Sequence, residues 1–388
     1  MISTELTSVF NVTEVPEGEN ASQNSSGYFM VNYSEDNFIP TPLAHDLVVT
    51  FMVLYILIIV LALLGNLVVI VVIFLTKMMR SVTDLFVVSL AVSDLLISVL
   101  NMPFQLLSIV TNEWTMGLFM CKFHSYIQGV TIVSNILTLL AIAIDRYLVI
   151  CHTEVSRKFH TKKVGWIVLF VVWFVSLIVV CPQIIVQRLA MRLKIDSANQ
   201  IIGVGFLCVE FYPHPDRDSK IYTFTIYTCM YLLPVCVMAF TYGAIAHRLW
   251  VRHPIGDMLE NPRNHAKNIQ QKKKLTQMLM LLVVAFTVLW FPFFTASLYR
   301  ELVKTGSKFR IGMAILQLIG YSNCCVNPII YTFLNKKFQR EFKRIFTKRR
   351  VDIRNIEQGQ PQHSAAATTK TSVQHISSRQ QVNTFNLQ

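Results

Sequence analysis

Seven apolar runs, near residues 47–75, 83–109, 122–151, 164–187, 220–246, 274–302 and 311–334, constrain this chain more than anything else in it. Each is long enough to cross a hydrocarbon core, which takes about 20 mostly apolar residues. A helix is the one structure a lone segment can adopt there with every backbone polar group satisfied. With 53% hydrophobic and 15% charged residues and a mean hydropathy of +0.48, the chain is too apolar for an ordinary soluble domain of its length. The expected fold class is an all-α membrane protein, a seven-transmembrane helix bundle with a short amphipathic eighth helix. An odd number of crossings puts the two termini on opposite sides.

Charge sets which side is which, because short cytoplasmic loops and tails carry an excess of Lys and Arg. Up to and including Asp46 there are seven acids and no Lys or Arg. The loops after the first, third and fifth runs carry Lys77 and Arg80; Arg157, Lys158, Lys162 and Lys163; and Arg248, Arg252, Arg263, Lys267 and Lys272 to Lys274. The tail adds Lys336, Lys337, Arg340, Lys343, Arg344 and Lys348 to Arg350. A plasma-membrane protein with its N-terminus extracellular and its C-terminus cytoplasmic is expected. The net charge of +13 follows from that topology and does not call for nucleic acid. Sequons at Asn11, Asn20, Asn24 and Asn32 agree, since glycosylation needs the secretory lumen. No basic stretch with an apolar core opens the chain, so the first run is expected to direct insertion. The chain then divides into a glycosylated, disordered tail (1–46), the bundle (47–335), an amphipathic cytoplasmic helix (336–347) and a disordered cytoplasmic tail (348–388).

Of eight cysteines, Cys121 and Cys208 fall on the outer side, where disulfides persist, and are expected to pair. Cys151, Cys181, Cys229, Cys236, Cys324 and Cys325 fall within or at the ends of runs and are expected to be free, buried thiols. No His/Cys cluster has metal-ligand spacing.

Asp145 and Arg146 stand side by side at the end of the third run. A helix from Cys121 to Arg146 is about 37 Å long, enough to carry Arg146 to the cytoplasmic edge. A charge at that depth is costly unless paired or functional. It keeps company with Asn66 in the first run, Asp94 in the second, Trp173 in the fourth, and Pro234 and Tyr242 in the fifth. Phe286, Trp290 and Pro292 follow in the sixth, and Asn327-Pro328-Ile329-Ile330-Tyr331 in the seventh. This set, in this order, resembles the rhodopsin-like G-protein-coupled receptors over about residues 45–347.

The resemblance implies that Asp145-Arg146-Tyr147 is the activation switch, with Arg146 held by Asp145 at rest and released toward the G protein, Tyr242 and Tyr331 when active. Pro234, Pro292 and Pro328 each remove a helical hydrogen bond and make a kink. Pressure on Trp290, one turn beyond Phe286, would swing the inner half of the sixth helix. Receptors that lock their resting state do so with an acid near Lys272; here that lock is absent. Asp94 with Asn135, Asn323 and Asn327 forms an expected oxygen-rich sodium site, the alternative being a water-filled hydrogen-bond network. No other cofactor is expected.

Tyr321 stands where photopigments carry the retinal lysine, and Gln128 where amine receptors carry an Asp. Gln128 offers donors and an acceptor, which suits a peptide's C-terminal carboxamide, and Gln105 can share that task. Glu301 at the outer end of the sixth run suits an arginine guanidinium, as does Glu210. Trp290, Phe294 and Tyr321 complete the expected ligand set. These positions resemble the neuropeptide receptors for amidated peptides, the RFamide (neuropeptide FF and pyroglutamylated RFamide) and neuropeptide Y groups. The implied ligand is an extracellular amidated peptide, of RFamide type ahead of a neuropeptide Y-like one.

On the cytoplasmic side, Lys336 to Phe346 alternates basic residues with Phe338, Phe342, Ile345 and Phe346, as a helix lying on membrane lipid would. No Cys follows Cys325, so palmitoylation cannot anchor it. Thr153 replaces the Pro usual in the second inner loop. Thr368, Thr369, Thr371, Ser372, Ser377 and Ser378 can be phosphorylated to dock arrestin, beside the heterotrimeric G protein as the other inner partner. No catalytic constellation argues for an enzyme. A transporter or channel is the rival class, because a buried Asp94 and broken helices also mark ion paths, but no internal repeat is visible.

Overall fold

A computed structural model of the chain describes residues 22–23, 29–30, 45–76, 81–195, 201–251, 262–303 and 307–345. The four sequons, the tail phosphorylation sites and the side chain of Lys272 lie outside the described residues. Among the described residues, seven helices are long and apolar enough to cross a membrane: His45–Leu75, Val82–Thr111, Gly117–Cys151, Lys162–Val186, Arg217–Leu249, Lys273–Leu302 and Ile311–Leu334. They fall on the seven runs, the third starting at Gly117 instead of near 122. The bundle belongs to one compact unit, Met1–Glu341; Phe342–Gln388 form a second. Helical backbone resumes after Asn335 and covers residues 336–345.

Local chemistry places the ends. Ser81 Oγ accepts from the Asp84 backbone N–H at 3.3 Å while the Asp84 carboxylate accepts from the Ser81 N–H at 2.8 Å, a reciprocal capping box that starts the second span. Thr161 caps the fourth span through Val164 N–H. The second span is two helical pieces meeting at Asn101, ahead of Pro103, and the seventh is two pieces meeting at Ser322.

Burial follows the demands of lipid. The third span packs against the second, fourth and fifth and buries Val130, Ile136, Leu139 and Ile142. The first and fourth spans leave rows of large apolar side chains outside, such as Leu64 and Phe170. Faces of that kind suit hydrocarbon, and a water-soluble chain would not keep them. The polar side chains Asn66, Asp94, Asn135, Asn323 and Asn327 are all buried. Of the six cysteines expected to be buried thiols, only Cys324 is buried. Cys181, Cys229 and Cys236 are exposed and Cys151 and Cys325 half-buried, because the apolar faces of these spans turn outward as often as inward.

The proline kink of the seventh span is repaired by a neighbour. Pro328 has no N–H to give the Cys324 carbonyl four residues back, and the Asn66 side-chain amide donates to that carbonyl instead, at 2.9 Å. Gly65 makes the approach feasible: a Cβ there would meet the Pro328 ring at 2.7 Å. In the sixth span, the Tyr231 hydroxyl donates to the Thr287 carbonyl at 2.8 Å, one residue before the carbonyl that Pro292 frees.

Between the fourth and fifth spans the chain forms an antiparallel hairpin, and the four described strands pair in sequence order: β1 (Ser22–Gln23), β2 (Phe29–Met30), β3 (Gln187–Ile195) and β4 (Ile201–Glu210). Cys208 of β4 is disulfide-bonded to Cys121 of the third span, with Cα atoms 5.6 Å apart. The expected pair forms, and it ties the hairpin to the end of the bundle where the third span begins.

Candidate functional site

The hairpin and the adjacent ends of the second to seventh spans line an open cavity of ≈ 1020 Å³. Gln105, Gln128, Glu210, Glu301 and Phe294, all expected to meet a ligand, line it. Trp290 and Tyr321, expected beside them, do not. Both are fully buried, and Trp290 lies behind the floor rings, its centroid 5.7 Å from Phe293 and 6.1 Å from Phe294. Tyr321 stacks edge-on against the same indole at 6.1 Å. The reason is Gly320: a Cβ there would come within 2.8 Å of the indole, so the ring sinks against the seventh span's backbone instead of reaching the cavity. Neither side chain lines the cavity, and Phe293 and Phe294, which do, pack against Trp290.

Glu301 and Glu210 are held very differently. Glu301 Oε2 accepts from Ser219 Oγ at 2.5 Å, and its Oε1 lies 3.2 Å from an Arg300 guanidinium nitrogen. Glu210 has longer contacts: Gln183 Nε2 at 3.4 Å, the Tyr212 hydroxyl at 3.5 Å and the same Arg300 nitrogen at 3.9 Å. Burial first, and then the Glu210 charge, push the Tyr212 phenol well above its usual range. It therefore stays a hydrogen-bond donor to the acid.

Deeper in the bundle, both Asp94 oxygens are occupied: Oδ1 by the Asn135 amide at 3.1 Å and Oδ2 by the Asn327 amide at 2.7 Å. Asn135 Oδ1 and Asn323 Oδ1 are buried with no hydrogen-bond donor among the described residues. The spare oxygen of Asn135, whose amide is bonded to Asp94, is of the kind a hard cation takes as a ligand.

At the inner end, Arg146 is buried and its guanidinium donates twice to Asp145 Oδ2, through Nε at 3.0 Å and through a second nitrogen. That second nitrogen also meets Thr83 Oγ1 at 2.6 Å. His160 Nδ1 lies 2.7 Å from Asp145 Oδ1. Tyr147 contacts His152 through its hydroxyl at 3.2 Å. Tyr242 and Tyr331 are buried, and their hydroxyls have no partner among the described residues. Phe286 packs 6.3 Å from Trp290, on the inner side of the Pro292 kink.

Residues 65–331 match the family described as 7 transmembrane receptor (rhodopsin family). The chain belongs to that family. The receptor is 33% identical to the "QRFP-like peptide receptor" of Branchiostoma floridae over 296 residues, 75% of this chain and 76% of that one. It is 34% identical to the "Pyroglutamylated RF-amide peptide receptor" of Mus musculus over 74% of this chain and 67% of that one. The "RYamide receptor" of Drosophila melanogaster is 30% identical over 81% of this chain and 67% of its own.

Several residues that organise the receptor's polar sites are absent from the sequence reading: Ser219 on Glu301, Arg300 between the two acids, Gln183 and Tyr212 on Glu210, and Thr83 and His160 on the Asp145-Arg146 pair. Arg300, adjacent to Glu301, and Tyr212, two residues from Glu210, carried a local signal. The others arrive from farther along the chain, Ser219 from 82 residues away and Thr83 from 63, and no spacing rule announces them.

Proposed function

We propose that the receptor binds an extracellular peptide with a C-terminal carboxamide and a nearby arginine, of RFamide type, and passes that event to a heterotrimeric G protein. The observation that carries this reading is one cavity lined by two primary amides, Gln105 and Gln128, and two carboxylates, Glu210 and Glu301. Amides pair with a carboxamide through matched donors and acceptors, and carboxylates take a guanidinium. The names of the amphioxus and mouse relatives support the RFamide assignment. The RYamide name supports a neuropeptide Y-like second reading, since the same arginine and amide chemistry serves both.

In this reading the N-terminus is extracellular and glycosylated at Asn11, Asn20, Asn24 and Asn32, and the C-terminus is cytoplasmic. The 336–347 helix lies on anionic lipid, and phosphorylation of the tail recruits arrestin. Asp145, Arg146, Tyr147, Tyr242, Phe286, Trp290, Pro292, Asn327, Pro328 and Tyr331 form the switch. The deciding experiment is G-protein activation in cells expressing the chain, challenged with amidated RFamide and neuropeptide Y-like peptides beside their free-acid forms. A response to an RFamide that disappears with the free acid is the expected result; silence across the panel removes the ligand assignment.

The Asp94 cluster is proposed to hold sodium in the resting state. Exchanging a large organic cation for sodium at constant ionic strength is expected to lower agonist affinity by about fivefold or more, the scale of an ordinary allosteric coupling. Asp94→Asn is expected to remove that dependence. Agonist affinity indifferent to sodium in the unmutated receptor would leave only a hydrogen-bond network.

A further inference from the structure

Glu301 and Glu210, the two acids of the cavity, already share a cation. One guanidinium nitrogen of Arg300 lies 3.2 Å from Glu301 Oε1 and 3.9 Å from Glu210 Oε2. The Arg300 side chain is 43% exposed, against 14% for Glu301 and 31% for Glu210. The cation therefore sits outermost, over carboxylates that other groups anchor from behind. Ser219 anchors Glu301, and Gln183 and Tyr212 anchor Glu210.

From this arrangement we infer that Arg300 is an internal placeholder for the ligand's arginine, occupying the acid pair until an incoming guanidinium displaces it. The inference rests on the reading of these acids as the arginine subsite. Its physical basis is the asymmetry between the two cations. Arg300 offers a single nitrogen to the pair, and neither contact is a two-pronged fork. A ligand guanidinium entering from the cavity is free to present two parallel N–H groups to one carboxylate, which is stronger and more directional. Arg300 is the exposed partner, at 43%, and gives Glu301 a single nitrogen, so on swinging to solvent it loses little.

Displacing Arg300 costs any incoming cation the same, so the placeholder weakens an arginine and a lysine ligand alike. The preference for arginine comes from its fork, which the point charge of a lysine lacks. Removing Arg300 strengthens binding of both cations.

The test uses purified full-length receptor and the amidated dipeptide Arg-Phe-amide as probe, with its citrulline and lysine counterparts, in a direct binding assay. Arg300→Gln, with Arg300→Met beside it, is expected to bind the arginine probe about three- to tenfold more tightly than the unmutated receptor, the scale of one exposed ion pair. The lysine probe gains by the same factor, the neutral citrulline probe is unchanged, and adding Glu301→Gln cancels the gain. Unchanged or weaker binding of the arginine probe, an equal gain for citrulline, or no binding to any form would each overturn the inference. Activation by longer amidated peptides is read separately. A receptor that such peptides activate equally with and without Arg300 keeps its ligand class and loses the placeholder.

Discussion

Glu301→Lys is expected to reduce the potency of an amidated peptide with arginine before its terminal aromatic by about 100-fold or more, and to leave the citrulline analogue nearly unaffected. Truncating or reversing one partner of a desolvated, hydrogen-bonded charge pair costs about 2–5 kcal/mol at an interface, and each 1.4 kcal/mol is tenfold. Glu301 meets that description: its carboxylate is 14% exposed and fixed by Ser219 at 2.5 Å. Reversal would also set an ammonium group against Arg300, adding repulsion where the ligand's cation must enter. Glu210→Gln is expected to cost less, about tenfold, because its carboxylate is more exposed and its contacts are 3.4 Å or longer. Dose–response curves for the peptide and its citrulline analogue, normalised to surface expression, decide the matter. Equal losses for both ligands would mean that Glu301 shapes the cavity without pairing with the arginine.

The contrast between these two acids shows what a sequence can and cannot disclose. That Glu301 stands at the outer end of the sixth span follows from counting along one helix, and Cys121 and Cys208 reveal themselves by lying on the same side. Asn66, Asp94 and Asn327 are conspicuous because polar side chains in an apolar run need a reason to be there. The Asn66 bond to the Cys324 carbonyl is the physical form of that reason at Pro328. How firmly each acid is held was not legible. Ser219 and Gln183 reach the acids from the fifth and fourth spans, 82 and 27 residues away, through packing that no local pattern encodes. Depth was illegible too. Trp290 and Tyr321 have the right height along their helices for a ligand, and only the missing Cβ of Gly320 lets the indole sink behind Phe293 and Phe294.

At the opposite end of the bundle, Asp145→Asn is expected to raise ligand-independent G-protein activation about five- to tenfold, and His160→Ala about twofold. Asp145 is the hub of the resting arrangement: it accepts two bonds from Arg146 on one oxygen and one from His160 on the other. Hydrogen bonds to charged groups contribute about 1.5–3 kcal/mol each. Asparagine keeps an oxygen that accepts but loses the charge, so these bonds weaken without vanishing, and a two-state equilibrium shifts by about five- to tenfold when the active state does not use them. The active state has something to gain as well. The hydroxyls of Tyr242 and Tyr331 are buried without partners among the described residues, a cost of about 1–3 kcal/mol per group that a guanidinium turned toward them would relieve. His160 follows the third span, and its bond to Asp145 supplies a further restraint on the Asp145-Arg146 pair. Because His160 acts only through Asp145, the double variant should signal no more than Asp145→Asn alone, as groups within one network are not additive. Basal second-messenger production at matched surface expression is the measurement. Additive increases would mean that His160 restrains the inner loop independently, and unchanged basal activity in Asp145→Asn would mean that Thr83 and packing hold Arg146 without the acid.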